Sequence, residues 1–571
     1  MQPPRRRPAG DDDEFIELTP SRGSPPPDAP SWTYPAGDGL ILTPAPFMPP
    51  PADPADTRGR LARFGRWAVL ALPLCLATTG LGVYIALLFQ PSLPPVPKGK
   101  LVVLLALDFL PADKLAGYTG LFGPDGFERM KADGTWLPDV EVPQAFAAAG
   151  PGFANLVTGV PPSGHGVTDD TPAEPLAPTV GDALKAAGKG KVIAVGLDER
   201  VLALAGPAAD AVVAFDPAGG FRAVGRPDPP WLTALNARRP GDRWHGTEWV
   251  RQQPAALYDS FAGPDLAAGK AAGAGQGLGF PHPFGTAGPG YRAAVAGSPA
   301  GNELVWEAAR AAIDGEQLGR RGETDLLCVG LTAGGPILRA WGPDSHEAAD
   351  YLVRTDRLVA DILSQLPTAV GQGRWAVVVA GCHGGCPLPE VIKPGRPAGE
   401  RFDPDREFGP LAAALDQTFG KTGQWVDRVA YPWVSLNRKT LAGRKVNPAD
   451  AAAFAAQWLG NRPAAVAAYP RGGPFPDDPA GRAVAAGFHP DRGGDVFIVY
   501  RPFAVPGAVG SASGSPHPYD RTVTLLAVGA GVLAAKPQTG RESQLAAAAL
   551  LAKLLGVTPP AGAAAAPRGF E

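Results

Sequence analysis

The run Lys100-Leu-Val-Val-Leu-Leu-Ala-Leu-Asp108 is continuously apolar from Leu101 to Leu107 and closes on a carboxylate. A strand tolerates that pattern where both of its faces are covered, as in the centre of a parallel sheet. The pattern returns in Gly190-Lys-Val-Ile-Ala-Val-Gly196, Asp325-Leu-Leu-Cys-Val-Gly-Leu331, Trp375-Ala-Val-Val-Val-Ala-Gly381 and Asp495-Val-Phe-Ile-Val-Tyr500. Helical stretches lie between, over Gly181 to Ala187, Asn302 to Asp314, Glu347 to Leu366 and Ser543 to Leu555. Strand alternating with helix predicts an α/β fold with a central, mostly parallel sheet flanked by helices, whose ligands gather at the carboxyl ends of the strands. Asp108 and His383 stand at such ends. A carboxylate there suits a metal or phosphate site, and equally a capping or loop-satisfying role.

The first hundred residues read differently. Pro clusters, an acidic run from Asp11 to Glu14 and few large apolar residues predict a disordered, Pro-rich tail over 1–66. Trp67 to Phe89 carries no charge and is long enough to cross about 30 Å of hydrocarbon, which predicts a transmembrane anchor over 67–90. It begins too far from the start to be a cleaved signal peptide. Arg58, Arg60, Arg63 and Arg66 precede it while only Lys98 and Lys100 follow closely, so the tail is expected in the cytoplasm. The expected location is the cytoplasmic membrane, single-pass, with the large domain extracytoplasmic. Residues 91–99 read as a linker. Residues 100–560 read as the globular domain, with inserts near 220–300 and 395–490, and 561–571 as a flexible end.

With 45% hydrophobic and 19% charged residues and a net charge of −3, the chain has no electrostatic footprint for nucleic acid. The four cysteines are too few for a disulfide scaffold. The expected partners are the membrane and, through the Pro-rich tail, a protein.

The order of motifs then carries a resemblance. It runs from strand-Asp108 through Gly126-Phe-Glu-Arg-Met, Gly134-Thr-Trp, Pro151-Gly152 and Leu156-Val-Thr-Gly-Val-Pro-Pro-Ser-Gly-His-Gly166. It continues through Lys191-Val-Ile-Ala-Val-Gly-Leu-Asp-Glu-Arg200, Trp341-Gly-Pro-Asp-Ser, Arg492-Gly-Gly-Asp-Val-Phe-Ile-Val499 and Pro518-Tyr-Asp520. This order resembles the alkaline phosphatase superfamily, in its type I phosphodiesterase/nucleotide pyrophosphatase branch and the phosphomonoesterases close to it. The resemblance implies phosphoryl transfer at two zinc ions by a Thr or Ser nucleophile.

Carried over position by position, the implied site is degenerate. The first aspartate falls on Asp108 and is intact. The nucleophile position falls on Ala149, and no Ser, Thr, Tyr or Cys occurs from Leu137 to Val157. The Asp-x-x-x-His pair falls on Gly335 and Arg339, and the final His on Ser513. The Asp-His pair after the strand Ala376 to Ala380 becomes Cys382-His383, which with Asp108 would form a vestigial metal site. On the substrate side the Lys-x-Arg becomes Asp198-Glu-Arg200 and an Asn becomes Asp170, an arrangement unsuited to a dianion. Arg339 reads either as positive charge replacing a lost cation, paired with Asp108 or Asp198, or as an ordinary solvated arginine. At most one zinc is expected, with none the leading expectation. The resulting function is a membrane-anchored pseudoenzyme domain used for binding or scaffolding; the alternative is a one-zinc hydrolase of phosphodiesters, phosphomonoesters or sulfate esters.

Overall fold

The computed structural model describes residues 101–568 apart from 217–218, 393–394, 422 and 535–537. The tail, anchor and linker expected over 1–99 lie outside the described residues. Among the described residues, no helix is long and apolar enough to cross a membrane.

The main sheet contains β1 (Leu101–Phe109), β2 (Thr135–Glu141), β3 (Val192–Gly196), β4 (Ala211–Asp216), β5 (Gly220–Ala223), β6 (Asp325–Leu331), β7 (Trp375–His383), β8 (Thr522–Gly529) and β9 (Glu542–Ser543). Their spatial order is β9-β2-β8-β7-β1-β6-β3-β4-β5. From β7 to β4 neighbouring strands run parallel, while β8 runs antiparallel to both β7 and β2. Every residue of β1 is buried, and its alternation divides them between two cores. Leu101, Val103, Leu105 and Leu107 join one core, with α2 (Pro299–Gly315) and α4 (His346–Val370). Val102, Leu104 and Ala106 join the other, with α1 (Ala149–Thr158) and α5 (Ala546–Leu555). This covering of both faces is why β1 reads as an unbroken apolar run.

Two expectations need correction. The run at 495–500 is not in the main sheet: Val496–Tyr500 belongs to a separate antiparallel sheet with Trp433–Leu436, Val426–Ala430 and Ala465–Pro470. Val496–Tyr500 is also buried throughout, partly against a core that includes Leu411, Leu415, Trp425, Ala455 and Leu459, so it carries the same apolar signature. The end expected to be flexible over 561–571 is pinned in its described part: Ala564 N–H donates to Gly159 O at 3.0 Å, and Ala563 and Ala566 pack on the α1/α5 core.

The topology brings the relevant strand ends together. Phe109 pairs with His383 across β1 and β7, Leu107 with Leu331 across β1 and β6, and Gly196 with Gly330 across β3 and β6. The segments following these strands therefore meet at one rim, where α3 (Gly334–Trp341) also begins.

Candidate functional site

Asp108 is fully buried near the end of β1. Phe109 N–H donates to its Oδ1 at 2.8 Å and Gly335 N–H, from the first turn of α3, to its Oδ2 at 2.6 Å. Among the described residues, no basic nitrogen lies within 4.0 Å of it. Burial pushes the Asp108 carboxyl up to about 6, against the opposing pull of Arg200, the Gly335 amide and Arg339.

Gly335 stands where the resemblance implies a carboxylate ligand, and its lack of a side chain is what admits this arrangement. A Cβ there would lie 2.8 Å from Asp108 Oδ2, and one on Gly334 would lie 2.7 Å from Asp108 Oδ1. The helix amide thus approaches the oxygen that a cation would otherwise face.

Ala149 is fully buried in the first turn of α1. Its N-cap, Ala148, has no side-chain oxygen to offer the first-turn amides. Asp170 supplies one from a distance: Gly150 N–H donates to Asp170 Oδ1 at 2.8 Å. Arg200 then ties the site together. Its Nε and Nη2 fork onto Asp198 at 2.9 and 2.7 Å, and its Nη1 reaches Asp170 Oδ2 at 3.2 Å. Thr332 Oγ1 also donates to Asp198, at 3.1 Å. Burial alone would push Asp198 up; the Arg200 fork outweighs it and holds the carboxyl below the ordinary range.

Cys382 and His383 end β7. Burial pushes the Cys382 thiol well above its ordinary value, so the sulfur stays protonated. A Cβ on Gly152 would lie 2.6 Å from Cys382 Cβ, so α1 and β7 meet there in close contact. His383 Nδ1 lies 2.7 Å from Gly384 O, which makes it the protonated nitrogen, and burial pushes the imidazole down to about 4. Ser513 is half-buried on the loop before Asp520; among the described residues no hydrogen bond ties it to Asp108, Cys382 or His383.

Sequence reasoning expected Arg339 to pair with Asp108 or Asp198, or to be solvated. Arg339 is exposed and, among the described residues, makes no ion pair within 4.0 Å; Arg200 takes Asp198 instead. The Gly150 and Gly335 amides and the Thr332 hydroxyl were missed. Two of these three donors are main-chain groups, and residue identity gives no signal for them.

A zinc site would need three or more ligands converging with free lone pairs. The described residues contain no group of three or more His, Cys, Asp or Glu side chains placed to hold a metal ion. Both Asp108 oxygens face amides, Cys382 holds its proton, and positive guanidinium charge stands nearby. The donor set does not fit a divalent cation.

A mostly parallel sheet with an aspartate and a histidine at adjacent strand ends defines an α/β protein of the kind whose ligands gather at the carboxyl ends of the strands. The family described as type I phosphodiesterase/nucleotide pyrophosphatase matches residues 102–502, and the chain belongs to it, within the alkaline phosphatase superfamily. Alkaline phosphatase PafA of Elizabethkingia meningoseptica is 25% identical over 486 residues, covering 76% of this chain and 88% of that protein. Alkaline phosphatase PhoV of Synechococcus elongatus is 25% identical over 350 residues, covering 54% of this chain but only 64% of that protein, less than two thirds. The crystal structure of wild type PafA superposes with a TM-score of 0.74 at 24% identity, covering 83% of this chain and 99% of that one.

Proposed function

We propose that this chain is a non-catalytic member of its family, anchored in the cytoplasmic membrane by residues 67–89, which keeps the domain outside for binding or scaffolding. The observation carrying the catalytic half is that Ala149 opens α1 and no hydroxyl or thiol side chain occurs from 137 to 157. Phosphoryl transfer in this family, as the resemblance implies it, needs a nucleophile at that place and cations to hold the developing charge. Supporting the reading, Asp108 is held by amides and Asp170 by the α1 amide, so neither carboxylate is presented to a substrate. The relatives' names describe phosphatases, which makes the assay decisive. The full-length chain with added zinc is expected to leave an aryl phosphate and an aryl phosphodiester unhydrolysed above background. Robust turnover that disappears on Asp108→Ala or His383→Ala would replace this reading with the one-zinc hydrolase. The anchoring half is checked separately. Protease added outside spheroplasts should degrade the large domain and spare the tail; protection of the domain would reverse the proposed orientation.

A further inference from the structure

His282, in the insert between β5 and α2, is fully buried, and both of its ring nitrogens face acceptors. Nδ1 lies 2.9 Å from Gln276 O and Nε2 lies 3.1 Å from Glu347 Oε1. A neutral imidazole has one N–H and satisfies only one of them. The junction therefore closes fully only with one further proton, either on the ring or on Glu347, whose acid O–H would then donate to Nε2. His346, at the same interface, is built the other way. Its Nδ1 accepts from Arg251 Nε–H at 3.1 Å, and its Nε2 faces Gly263 O at 2.8 Å and Asp259 Oδ1 at 3.1 Å, so a single proton suffices. Around His282 the fixed charges already balance. Glu347 and Asp265 are the anions and Lys270 and Arg251 the cations, with Lys270 Nζ 2.8 Å from Glu347 Oε2 and Arg251 paired to Asp265. Asp350 is taken by Arg354, Trp249 and Tyr258. The rings of Trp249, Phe280 and Trp341 enclose the imidazole at centroid distances of 5.2, 4.5 and 4.8 Å and bring no charge. The added proton is thus required by the hydrogen bonds and surplus to the charge balance.

We propose that the insert is a pH-sensitive cover, seated while His282 and Glu347 share an added proton and loosened as rising pH gives that proton up to water. What it covers is the far end of α3. Ala271 N–H donates to Ala340 O at 2.7 Å, Trp341 Nε1 to Gly277 O at 3.1 Å, and Gly510 N–H to Gly269 O at 2.7 Å. The same helix begins with the Gly335 amide that holds Asp108, so the cover sits on the element that builds the rim. The sign follows from the open form. Once exposed, an imidazole is neutral above about pH 6.5, so opening then releases one proton and each further pH unit favours opening by up to about tenfold. The proposal goes beyond the non-catalytic reading and does not depend on it. A plain buried ion pair beside a permanently neutral His282 predicts the same contacts and no response to pH in this range.

The test is hydrogen exchange, read by mass spectrometry of peptides, on the full-length chain in detergent, with each rate divided by the intrinsic rate at that pH. The Ala271 and Gly510 amides report the seated insert, and those of β1 report the domain as a whole. In wild type, protection at Ala271 and Gly510 is expected to fall at least about tenfold from about pH 6.5 to pH 8.5, with β1 unchanged. His282→Gln removes the titrating ring, and Glu347→Gln supplies a side-chain amide that donates to the neutral ring, so each should flatten the profile. Should one variant leave Ala271 unprotected at every pH, the other carries the comparison; should both, the wild-type profile decides alone. A flat wild-type profile overturns the proposal. So does a fall that β1 shares, or one that persists in a variant whose insert is still seated. Ester turnover by wild type would sink the non-catalytic reading and leave this test as it stands.

Discussion

Glu347 and Asp108 are both carboxylates sealed from solvent, yet they are held in opposite ways. Glu347, in the first turn of α4, meets Lys270 Nζ at 2.8 Å and His282 Nε2 at 3.1 Å, two groups from the insert between β5 and α2. Asp108, at the rim, accepts its hydrogen bonds, among the described residues, from two main-chain amides. The first arrangement fastens an insert to the core through buried charge. The second keeps a carboxylate in place with neutral donors, so its charge is poorly compensated and its proton is held more tightly. Asp520 resembles Asp108: it is 1% exposed, accepts from Ser515 N–H and Oγ, and burial pushes it up to about 7. Of these three buried carboxylates, the one that fastens the insert is paired with a cation, and the other two are left to neutral donors.

The largest effect should come from breaking the paired case. Lys270→Ala leaves Glu347 buried without its cation, and removing one partner of a buried pair costs about 3–5 kcal/mol. Denaturant melts of wild type and variant measure it; a loss below about 1 kcal/mol would mean the insert is not stapled by this pair.

The unpaired case predicts a pH signature. Between its ordinary value of 3.8 and about 7, folded Asp520 keeps a proton that the unfolded chain has released. The carboxylate therefore costs stability progressively as pH rises through that window. His383, pushed down to about 4, and His165, pushed down to about 3, act in the opposite sense, so the absolute profile of wild type is blunted. The difference between chains isolates Asp520. The unfolding free energy of Asp520→Asn should move in its favour relative to wild type by about 2–4 kcal/mol between pH 4 and pH 8. A difference that stays constant with pH would show that Asp520 ionises normally.

A smaller effect is expected at Gly335. Gly335→Asp returns the carboxylate that the resemblance implies, but its Cβ would stand 2.8 Å from Asp108 Oδ2 and its charge would face another carboxylate. The expected cost is about 1–3 kcal/mol, and zinc should not repay it. A variant stabilised by zinc in a thermal melt would show that the rim can still open to a cation.

How much of this was legible depends on which groups act. β1 was legible because covering on both faces leaves an unbroken apolar run, whereas its pairing with β7, which sets Phe109 against His383, came only from the fold. Val496–Tyr500 misled because burial in a second sheet writes the same letters. β2, Thr-Trp-Leu-Pro-Asp-Val-Glu, was invisible as a strand because it lies near the sheet edge and is only partly buried. At the site, the changed side chains could be read, but what replaced the lost contacts could not. Gly335 announces a missing ligand, whereas its amide bond to Asp108 exists only once α3 is packed on β1. Asp170 and Asp198 read as acids hostile to phosphate; that Arg200 joins them to each other depends on how two separate segments fold together.

The smallest expected effect is also the most direct probe of the rim. Ala149→Thr restores a hydroxyl where the family resemblance calls for a nucleophile, at a fully buried position in the first turn of α1. A hydroxyl attacks phosphorus only as its proton is lost, and here no cation fits beside it to lower its pKa. The neighbouring amide is also already engaged by Asp170, so a phosphoryl group would have to dislodge that carboxylate before reaching the new oxygen. Groups that act as a unit lose their effect together, and returning one should recover almost nothing. Aryl phosphate hydrolysis by Ala149→Thr is therefore expected to stay at the wild-type background with or without zinc. Measurable turnover by the single variant would show that the rim retains more of the catalytic apparatus than its hydrogen bonds indicate.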